Sequence, residues 1–210
     1  MNLSSTRPLI YLITAGTATP DNFSQTSADI LAVIKLAVGE GVDLVQIREK
    51  KLPTRHLFEL AQAAAEITRE SNTKLLVNDR ADAALAAGAD GVHLPASSVP
   101  CTVIRKSFPP DFGIGVSTHT FSEVSSAASE GADFAVFGPV FEAPGKGAPV
   151  GLDVLAEVCR NVRPFPVLAL GGIDESNYMS VLDAGASGFA AIRALNDPDT
   201  LRAICCQIKK

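Results

Sequence analysis

The run LVQIREKK places an amide and two cations at every second position, at Gln46, Arg48 and Lys50. Because side chains in a β-strand alternate between two faces, this spacing predicts one polar face at the end of an otherwise apolar strand. Unpaired buried charge is strongly disfavoured, so these side chains need an anionic partner. A bound phosphate or diphosphate is the interpretation we favour. The alternative is a salt-bridged layer of the protein itself, with Glu49 or Asp79 as the counter-ion.

Polar residues that could do chemistry also follow other apolar runs. Asp79, in the run NDR, could hold Mg²⁺, a hard cation that prefers carboxylate and phosphate oxygens, or could pair with a neighbouring cation such as Arg80. His119, in the run STHT, could transfer a proton near neutral pH, helped by the hydroxyls beside it, or could act only as a hydrogen-bond donor. His93 is expected to pack in the protein interior and His56 to lie on the surface.

The run ALGGIDESN indicates a second place for an anion. Gly171 and Gly172 would let the backbone approach an anion closely. Asp174 or Ser176 is expected to begin the next helix, whose N-terminus favours negative charge. Lys146, in a loop rich in Gly and Pro, adds a cation.

These residues must be positioned by eight short apolar runs that alternate with eight Ala-rich amphipathic segments. The predicted strands are Leu9–Ile13, Leu44–Ile47, Lys74–Val77, Gly91–Leu94, Gly113–Val116, Phe134–Phe137, Val167–Leu170 and Gly188–Ile192. The predicted helices are Ala28–Gly39, Thr54–Glu70, Ala81–Ala87, Val99–Ser107, Ser122–Glu130, Leu152–Asn161, Glu175–Ala184 and Asp199–Ile208. A weak repeat (EGVD, AGAD, EGAD and AGAS) ends every second helix with a glycine suited to a helix C-terminus.

Eight strands, each followed by a helix and with no linker between them, predict a single (β/α)₈ TIM barrel over residues 1–210. The alternative, a doubly wound sheet, would more often have about five or six strands and a GxGxxG turn after the first strand. That turn reads TAGTATPDN here. In a barrel the active site lies at the carboxyl ends of the strands, where the polar residues above would meet, and phosphate often binds after strands seven and eight.

Composition excludes some classes of protein. The 210 residues are 47% hydrophobic and 20% charged, with a net charge of −5, as in an ordinary soluble globular protein. The acidic balance argues against nucleic-acid or membrane partners, and no run is long enough to span a bilayer. The four cysteines form no CxxC pair and are expected to be free thiols, which suits a cytoplasmic location. A homo-oligomer is possible, because Ala-rich helix faces suit monomers and dimers equally.

Five runs, in order along most of the chain, resemble the thiamine-phosphate synthase / TenI superfamily of (β/α)₈ barrels: VQIREK, LLVNDRADAALAAGADGVHLP, GVSTHT, GADFAVFGPVF and PVLALGGI. The resemblance implies small phosphorylated substrates. Synthases of this family join hydroxymethylpyrimidine diphosphate to a thiazole phosphate carboxylate, with Mg²⁺, and release diphosphate. TenI proteins aromatise the thiazole phosphate instead.

The resemblance also implies roles for the matching residues. Those expected to hold the pyrimidine diphosphate are Gln46, Arg48, Lys50, Asn78 and Lys146. Asp79 would hold Mg²⁺, and Ser117 matches a serine of the pyrimidine site. The thiazole-phosphate site is matched by Gly172 and by the backbone of Ile192 and Arg193. The residues expected to take part in catalysis are Lys50, Ser117 and His119.

Some positions depart from the synthase pattern. Ser98 stands where the family has a second metal-binding Asp, Ala143 and Gly145 replace threonines that contact substrate, and Arg193 replaces a serine. The intact set for diphosphate nevertheless favours a synthase. One alternative is a TenI-like thiazole tautomerase with His119 as the acid–base residue. The other is a catalytically silent barrel that binds a phosphorylated ligand.

Overall fold

The computed structural model describes residues 1, 3 and 7–208 and shows eight parallel strands closed into a barrel. The strands are β1 (Leu9–Ile13), β2 (Leu44–Ile47), β3 (Lys74–Asn78), β4 (Gly91–Leu94), β5 (Gly113–Thr118), β6 (Phe134–Phe137), β7 (Val167–Leu170) and β8 (Gly188–Ala191). The helices are α1 (Phe23–Gly39), α2 (Thr54–Thr68), α3 (Ala81–Ala87), α4 (Cys101–Ser107), α5 (Phe121–Ser129), α6 (Gly151–Val162), α7 (Tyr178–Asp183), α8 (Arg193–Asn196) and α9 (Pro198–Ile208). Each strand pairs with the next and β8 pairs with β1, so the predicted (β/α)₈ fold is confirmed.

Alternation along the strands separates two apolar layers. In β1, Leu9, Tyr11 and Ile13 belong to the cluster inside the barrel, whereas Ile10 and Leu12 pack outward against the helices. This is the period of two that a strand buried on both faces requires. The side chains of the interior layer leave little room for the strands to shift. They therefore hold the carboxyl ends of the strands, which we call the rim, in place.

An aromatic side chain fills the middle of the barrel. The ring of Phe134 packs edge-on against Tyr11, with 5.6 Å between the ring centroids. A Cβ atom on Gly115 would lie 2.4 Å from that ring, so glycine is what admits the phenyl group. Phe134 is fully buried, and its truncation to alanine would cost about 3–5 kcal/mol of stability.

The repeated Gly-x-Asp runs anchor alternate strands. Asp43, Asp90 and Asp133 each accept a hydrogen bond, 2.7–2.9 Å long, from a backbone N–H of the preceding strand. Each carboxylate also pairs with a cationic side chain, and these side chains are Arg7, Lys74 and Arg105. The glycine two residues before each aspartate has a φ between 67 and 92°, the left-handed conformation that ends the helix. These bonds hold neighbouring strands in one register, and the register sets where each strand ends at the rim.

Some predicted helix boundaries are wrong. Helix α1 begins at Phe23, five residues early, because a turn at Pro20–Asn22 leads into it and the Asn22 side chain accepts a hydrogen bond from the Thr19 N–H. Neither Asp174 nor Ser176 begins a helix, since these residues lie in a turn that precedes α7. The short helix α8 was not predicted. Among the described residues, no helix has the length and hydropathy needed to cross a membrane.

Other expectations concern residues away from the rim. His56 is half-buried and stacks on Phe23 with ring centroids 4.3 Å apart, so the prediction of a surface position was wrong. Cys101 and Cys159 are buried free thiols, as predicted. Burial raises the pKa of Cys159 to about 11, which keeps the thiol protonated and unreactive.

Candidate active site

The carboxyl ends of the strands enclose two adjoining cavities. The first, which we call the cationic cavity, has a volume of about 150 Å³ and is lined by Gln46, Arg48, Lys50, Asn78, His93, Ser117, His119 and Lys146, among others. The second, the neighbouring cavity, has a volume of about 230 Å³ and lies over β6, β7 and β8. Both are bordered by His119, Gly138, Lys146, Leu170 and Ile192. The structure thus brings nearly all of the predicted site residues together; Asp79 lies outside both linings.

Three cations converge on the cationic cavity. Arg48, Lys50 and Lys146 line it, and none of them forms a salt bridge with any carboxylate in the described part of the chain. The positive charge of Arg48, partial burial and the charge of Lys146 lower the pKa of Lys50, and Asp79 offsets this only in part. A depressed lysine pKa is the expected result of uncompensated positive charge. The cluster therefore suits a polyanion.

Two of the three cations of the LVQIREKK run, Arg48 and Lys50, reach the cavity from a turn. Strand β2 ends at Ile47, so alternation along the strand explains the direction of Gln46 alone. The backbone N–H of Arg48 instead donates to the hydroxyl of Thr14, over 2.8 Å. This bond holds the turn against β1, and both Arg48 and Lys50 line the cavity beyond the strand end.

Glu49 belongs to the scaffold. Its buried carboxylate accepts hydrogen bonds from the Thr14 hydroxyl and from the backbone N–H groups of Gly16 and Ala18, over 2.6, 3.0 and 2.8 Å. Three such bonds satisfy the carboxylate without a cation. The alternative in which Glu49 neutralises Arg48 or Lys50 was wrong.

Asp79 follows β3 in the left-handed conformation, with a φ of 61°, and is exposed. It accepts a hydrogen bond of 2.5 Å from the hydroxyl of Ser98. Arg80 pairs with Asp82 instead, so the predicted alternative of an Asp79–Arg80 pair was wrong. In the described residues no three His, Cys, Asp or Glu side chains gather as a metal site. One carboxylate beside a hydroxyl fits Mg²⁺ only if phosphate oxygens of a ligand supply further positions, which is the usual way proteins hold this ion.

His119 lies between the two cavities with its ring held from one side. Its Nδ1 donates to the carbonyl oxygen of Gly138, and its backbone N–H donates to Glu123. The neighbouring hydroxyls that we expected beside the ring are engaged elsewhere. Thr118 donates to a backbone carbonyl of β6, and Thr120 caps α5. The Nε2 atom of His119 has no hydrogen-bond partner among the described residues and remains available to a ligand.

A series of hydrogen bonds between buried side chains reaches Ser117 from the barrel interior. Its Oγ lies 2.9 Å from Nε2 of His93, whose Nδ1 lies 3.3 Å from the hydroxyl of Tyr11. That hydroxyl accepts a hydrogen bond of 3.0 Å from the side-chain amide of Gln46. The interior position predicted for His93 is confirmed. The link to Tyr11 was missed, although a lone tyrosine in the aliphatic run LIYLI signals a buried hydroxyl that needs a partner.

The turn after β7 packs against the loop after β6. Gly171 and Gly172 have φ values of 106 and 65°, and a Cβ atom on Gly172 would lie 2.4 Å from a backbone oxygen of Glu142. Glycine is therefore required for close packing of backbone on backbone. Beyond β8, the chain at Ile192 and Arg193 enters α8. In barrels, phosphate commonly binds where the loops after strands seven and eight meet a short extra helix of this kind.

The barrel, the cation cluster and the glycine turn define a class: a (β/α)₈ barrel whose rim is built for phosphorylated small molecules. The model of the thiamine monophosphate synthase family matches residues 10–195. The chain belongs to this family, which confirms the resemblance seen in the sequence.

Relatives and solved structures agree with this assignment. A Geobacter sulfurreducens protein, provisionally named a thiamine-phosphate synthase, is 46% identical over 90% of this chain and 88% of its own length. The thiamine-phosphate synthase of Methanoculleus marisnigri is 42% identical over 77% of each chain. The solved thiamine phosphate pyrophosphorylase of Pyrococcus furiosus is 30% identical, with a TM-score of 0.80 over 96% of this chain and 97% of its own. A 3-hexulose-6-phosphate synthase, 18% identical with a TM-score of 0.70 over 95% of this chain and 97% of its own, shares the fold.

Proposed function

We propose that the chain is a thiamine-phosphate synthase, a transferase that couples hydroxymethylpyrimidine diphosphate with thiazole phosphate and releases diphosphate. The observation that carries the proposal is the cluster of Arg48, Lys50 and Lys146 around one cavity, with no salt bridge from the described carboxylates. A diphosphate group would supply the missing negative charge. The family and the names of the relatives support the same activity.

The chemistry explains why cations are needed. The bond between the pyrimidine methylene carbon and the diphosphate oxygen breaks, and its electron pair leaves with diphosphate. The lone pair of the thiazole nitrogen forms the new carbon–nitrogen bond. Negative charge grows on the leaving group as its bond breaks, so Arg48, Lys50 and Lys146 stabilise the transition state more than the bound substrate. The amides of Gln46 and Asn78 line the same cavity and would orient the substrate.

The proposal includes Mg²⁺ held by Asp79. The ion, when bound with the substrate, would neutralise further charge on the diphosphate. Ser98 donates to Oδ1 of Asp79, which leaves Oδ2 to bind the metal. Asp79 lies at the exposed edge of the rim, and a diphosphate bound by the cations would supply the further oxygen ligands that Mg²⁺ needs beside this carboxylate.

The thiazole phosphate would occupy the neighbouring cavity. Gly172, Ile192 and Arg193 are among the residues that line it. Lys146 and His119 border both cavities, so they would lie between the two substrates. The free Cys101 and Cys159 thiols suit a reducing compartment, and a cytoplasmic location is part of the proposal.

One observation favours a second activity, tautomerisation of the thiazole phosphate. The Nδ1 of His119 donates to Gly138, which leaves Nε2 able to accept a proton from a ligand. The third hypothesis from the sequence, a silent binding barrel, would use the same cavities without turnover.

A single set of assays separates these activities. The protein is mixed with both substrates and Mg²⁺, and diphosphate and thiamine phosphate are measured. We expect turnover that requires both substrates and is strongly reduced in Lys50→Ala. Thiazole isomerisation that needs no Mg²⁺ and is lost in His119→Ala would support the tautomerase hypothesis instead of the synthase. Binding with neither reaction would leave the silent barrel.

A further inference from the structure

We propose that Tyr11 and His93 are positioning residues, which fix the Ser117 hydroxyl as a hydrogen-bond donor toward the cationic cavity so that it selects a pyrimidine with an unprotonated ring nitrogen. The proposal rests on the proposed function, because it states how the pyrimidine of that reaction is recognised.

The direction of each hydrogen bond follows from the first donor in the chain. The side-chain N–H of Gln46 donates to the oxygen of Tyr11 over 3.0 Å. The tyrosine hydroxyl accepts this bond, so its own proton is directed to the other neighbour, Nδ1 of His93, at 3.3 Å. The three residues are 1%, 0% and 3% exposed, so water cannot easily offer another partner.

The acceptor role of Nδ1 fixes the tautomer of His93. A neutral imidazole carries one proton, and when Nδ1 accepts, that proton lies on Nε2. Nε2 therefore donates to Oγ of Ser117 over 2.9 Å. The serine oxygen is then occupied as an acceptor on this side. Its proton is left for an acceptor in the cavity that Ser117 lines.

The protonation states agree with this arrangement. Burial raises the pKa of Tyr11 well above its ordinary value, so the hydroxyl keeps its proton. Burial, helped by the charge of Arg48, lowers the pKa of His93 to about 3, so the ring is neutral near pH 7. A cationic ring would donate from both nitrogens and would oppose the Tyr11 hydroxyl.

A hydroxyl whose proton points in a fixed direction discriminates between ligands that a freely rotating hydroxyl would bind about equally well. A ring nitrogen with a lone pair accepts the Ser117 proton, whereas a C–H group in its place leaves the hydroxyl unpaired. An unpaired buried polar group is what makes such sites discriminate between similar ligands. The cations already bind the diphosphate, so the Ser117 hydroxyl is left to donate to the pyrimidine ring.

The tautomer is tested first, on the ligand-free protein. The nitrogen NMR signals of His93 are assigned by their loss in His93→Gln and their tautomer is read from the chemical shifts. We expect Nε2 to be protonated and Nδ1 not, and we expect Tyr11→Phe to populate the opposite tautomer. Tyr178→Phe is the matched control, because it removes the other tyrosine hydroxyl of the chain, which donates to Gln207. A wild-type ring protonated on Nδ1 would overturn the proposal.

Ligand recognition is tested by calorimetry with the pyrimidine diphosphate and with analogues that have C–H in place of each ring nitrogen in turn. We expect the wild type to bind one analogue roughly tenfold more weakly than the natural ligand. His93→Leu should lose this preference, and His93→Gln, whose amide can still donate to Ser117, should keep most of it. Tyr11→Phe takes the place of His93→Leu if thermal unfolding shows that the leucine variant does not fold.

The two tests separate the proposal from the proposed function. An unchanged preference in His93→Leu, or in the Tyr11→Phe replacement, refutes the positioning role even when the enzyme makes thiamine phosphate. Failure of the wild type to bind the pyrimidine diphosphate refutes the proposed function and the ligand named here, whatever the tautomer of His93.

Discussion

Replacing Lys50 by methionine removes one charge of the cationic cavity and keeps most of the aliphatic stem. A hydrogen bond to a charged group contributes about 1.5–3 kcal/mol, and each 1.4 kcal/mol corresponds to about a tenfold change in rate. Two unit charges about 4 Å apart interact by about 1 kcal/mol in water and about 4 kcal/mol near a protein surface. Lys50 is exposed to solvent, so we take the lower half of the electrostatic range, about 1–2.5 kcal/mol, and expect kcat to fall roughly 5- to 60-fold.

The same substitution should not destabilise the fold. Arg48 and Lys146 lower the pKa of Lys50 by repulsion, so the ammonium group costs the ligand-free protein some stability. We expect the melting temperature of Lys50→Met to equal or slightly exceed that of the wild type. Lower activity with undiminished stability is the result expected for a residue selected to bind an anion.

The assay follows diphosphate release at saturating concentrations of both substrates with Mg²⁺. Lys51→Met is the control, because it removes the same charge from the next residue, which is exposed and lines neither cavity. We expect Lys51→Met to retain nearly all activity. Equal losses in the two variants would refute the reasoning, since they would show a general effect of net charge.

Three further predictions concern other parts of the rim. The cationic neighbours of Lys50 lower its pKa, and only its protonated form attracts diphosphate, so affinity falls as pH rises through that pKa. Lys146→Met should move this fall to higher pH in calorimetric titrations, and an unmoved midpoint would contradict the repulsion. Ser98→Asp should raise the affinity of the ligand-free protein for Mg²⁺ severalfold, because a second carboxylate adds charge to the site, with Ser98→Asn as the uncharged control. Gly172→Ala should lower the free energy of unfolding by about 1–2 kcal/mol through backbone strain, and further through a clash with the backbone oxygen of Glu142. Gly145→Ala, with a φ of 71° and open space around it, should show the effect of strain alone in thermal unfolding.

The fold was predictable because the signals are local and repeated. Short apolar runs fixed all eight strands to within two residues at their ends, and the Gly-x-Asp runs marked the helix ends before them. Boundaries that depend on side-chain bonds were not predictable. Asn22 extends the start of α1, and the Asp174 turn delays α7. Helix α8, of four residues, is too short to show periodicity.

The residues of the site were predictable, but several of their neighbours were not. Polar side chains after apolar runs identify a barrel rim, and the structure gathers them around the two cavities. The sequence could not show that Glu49 turns inward to the backbone of the first loop, because that contact joins residues 31–35 positions apart. The chain from Tyr11 through His93 to Ser117 likewise spans 106 positions, 82 and then 24. Such partners become visible only when the barrel closes.

The central claim is that the cations at the rim hold the diphosphate of a pyrimidine substrate. A crystal structure of the protein with a non-reactive pyrimidine diphosphate analogue and Mg²⁺ tests it most directly. We expect the diphosphate to contact Arg48, Lys50 and Lys146, with the pyrimidine ring beside Ser117. A ligand bound elsewhere, with this cavity filled by water or closed by protein carboxylates, would contradict the account.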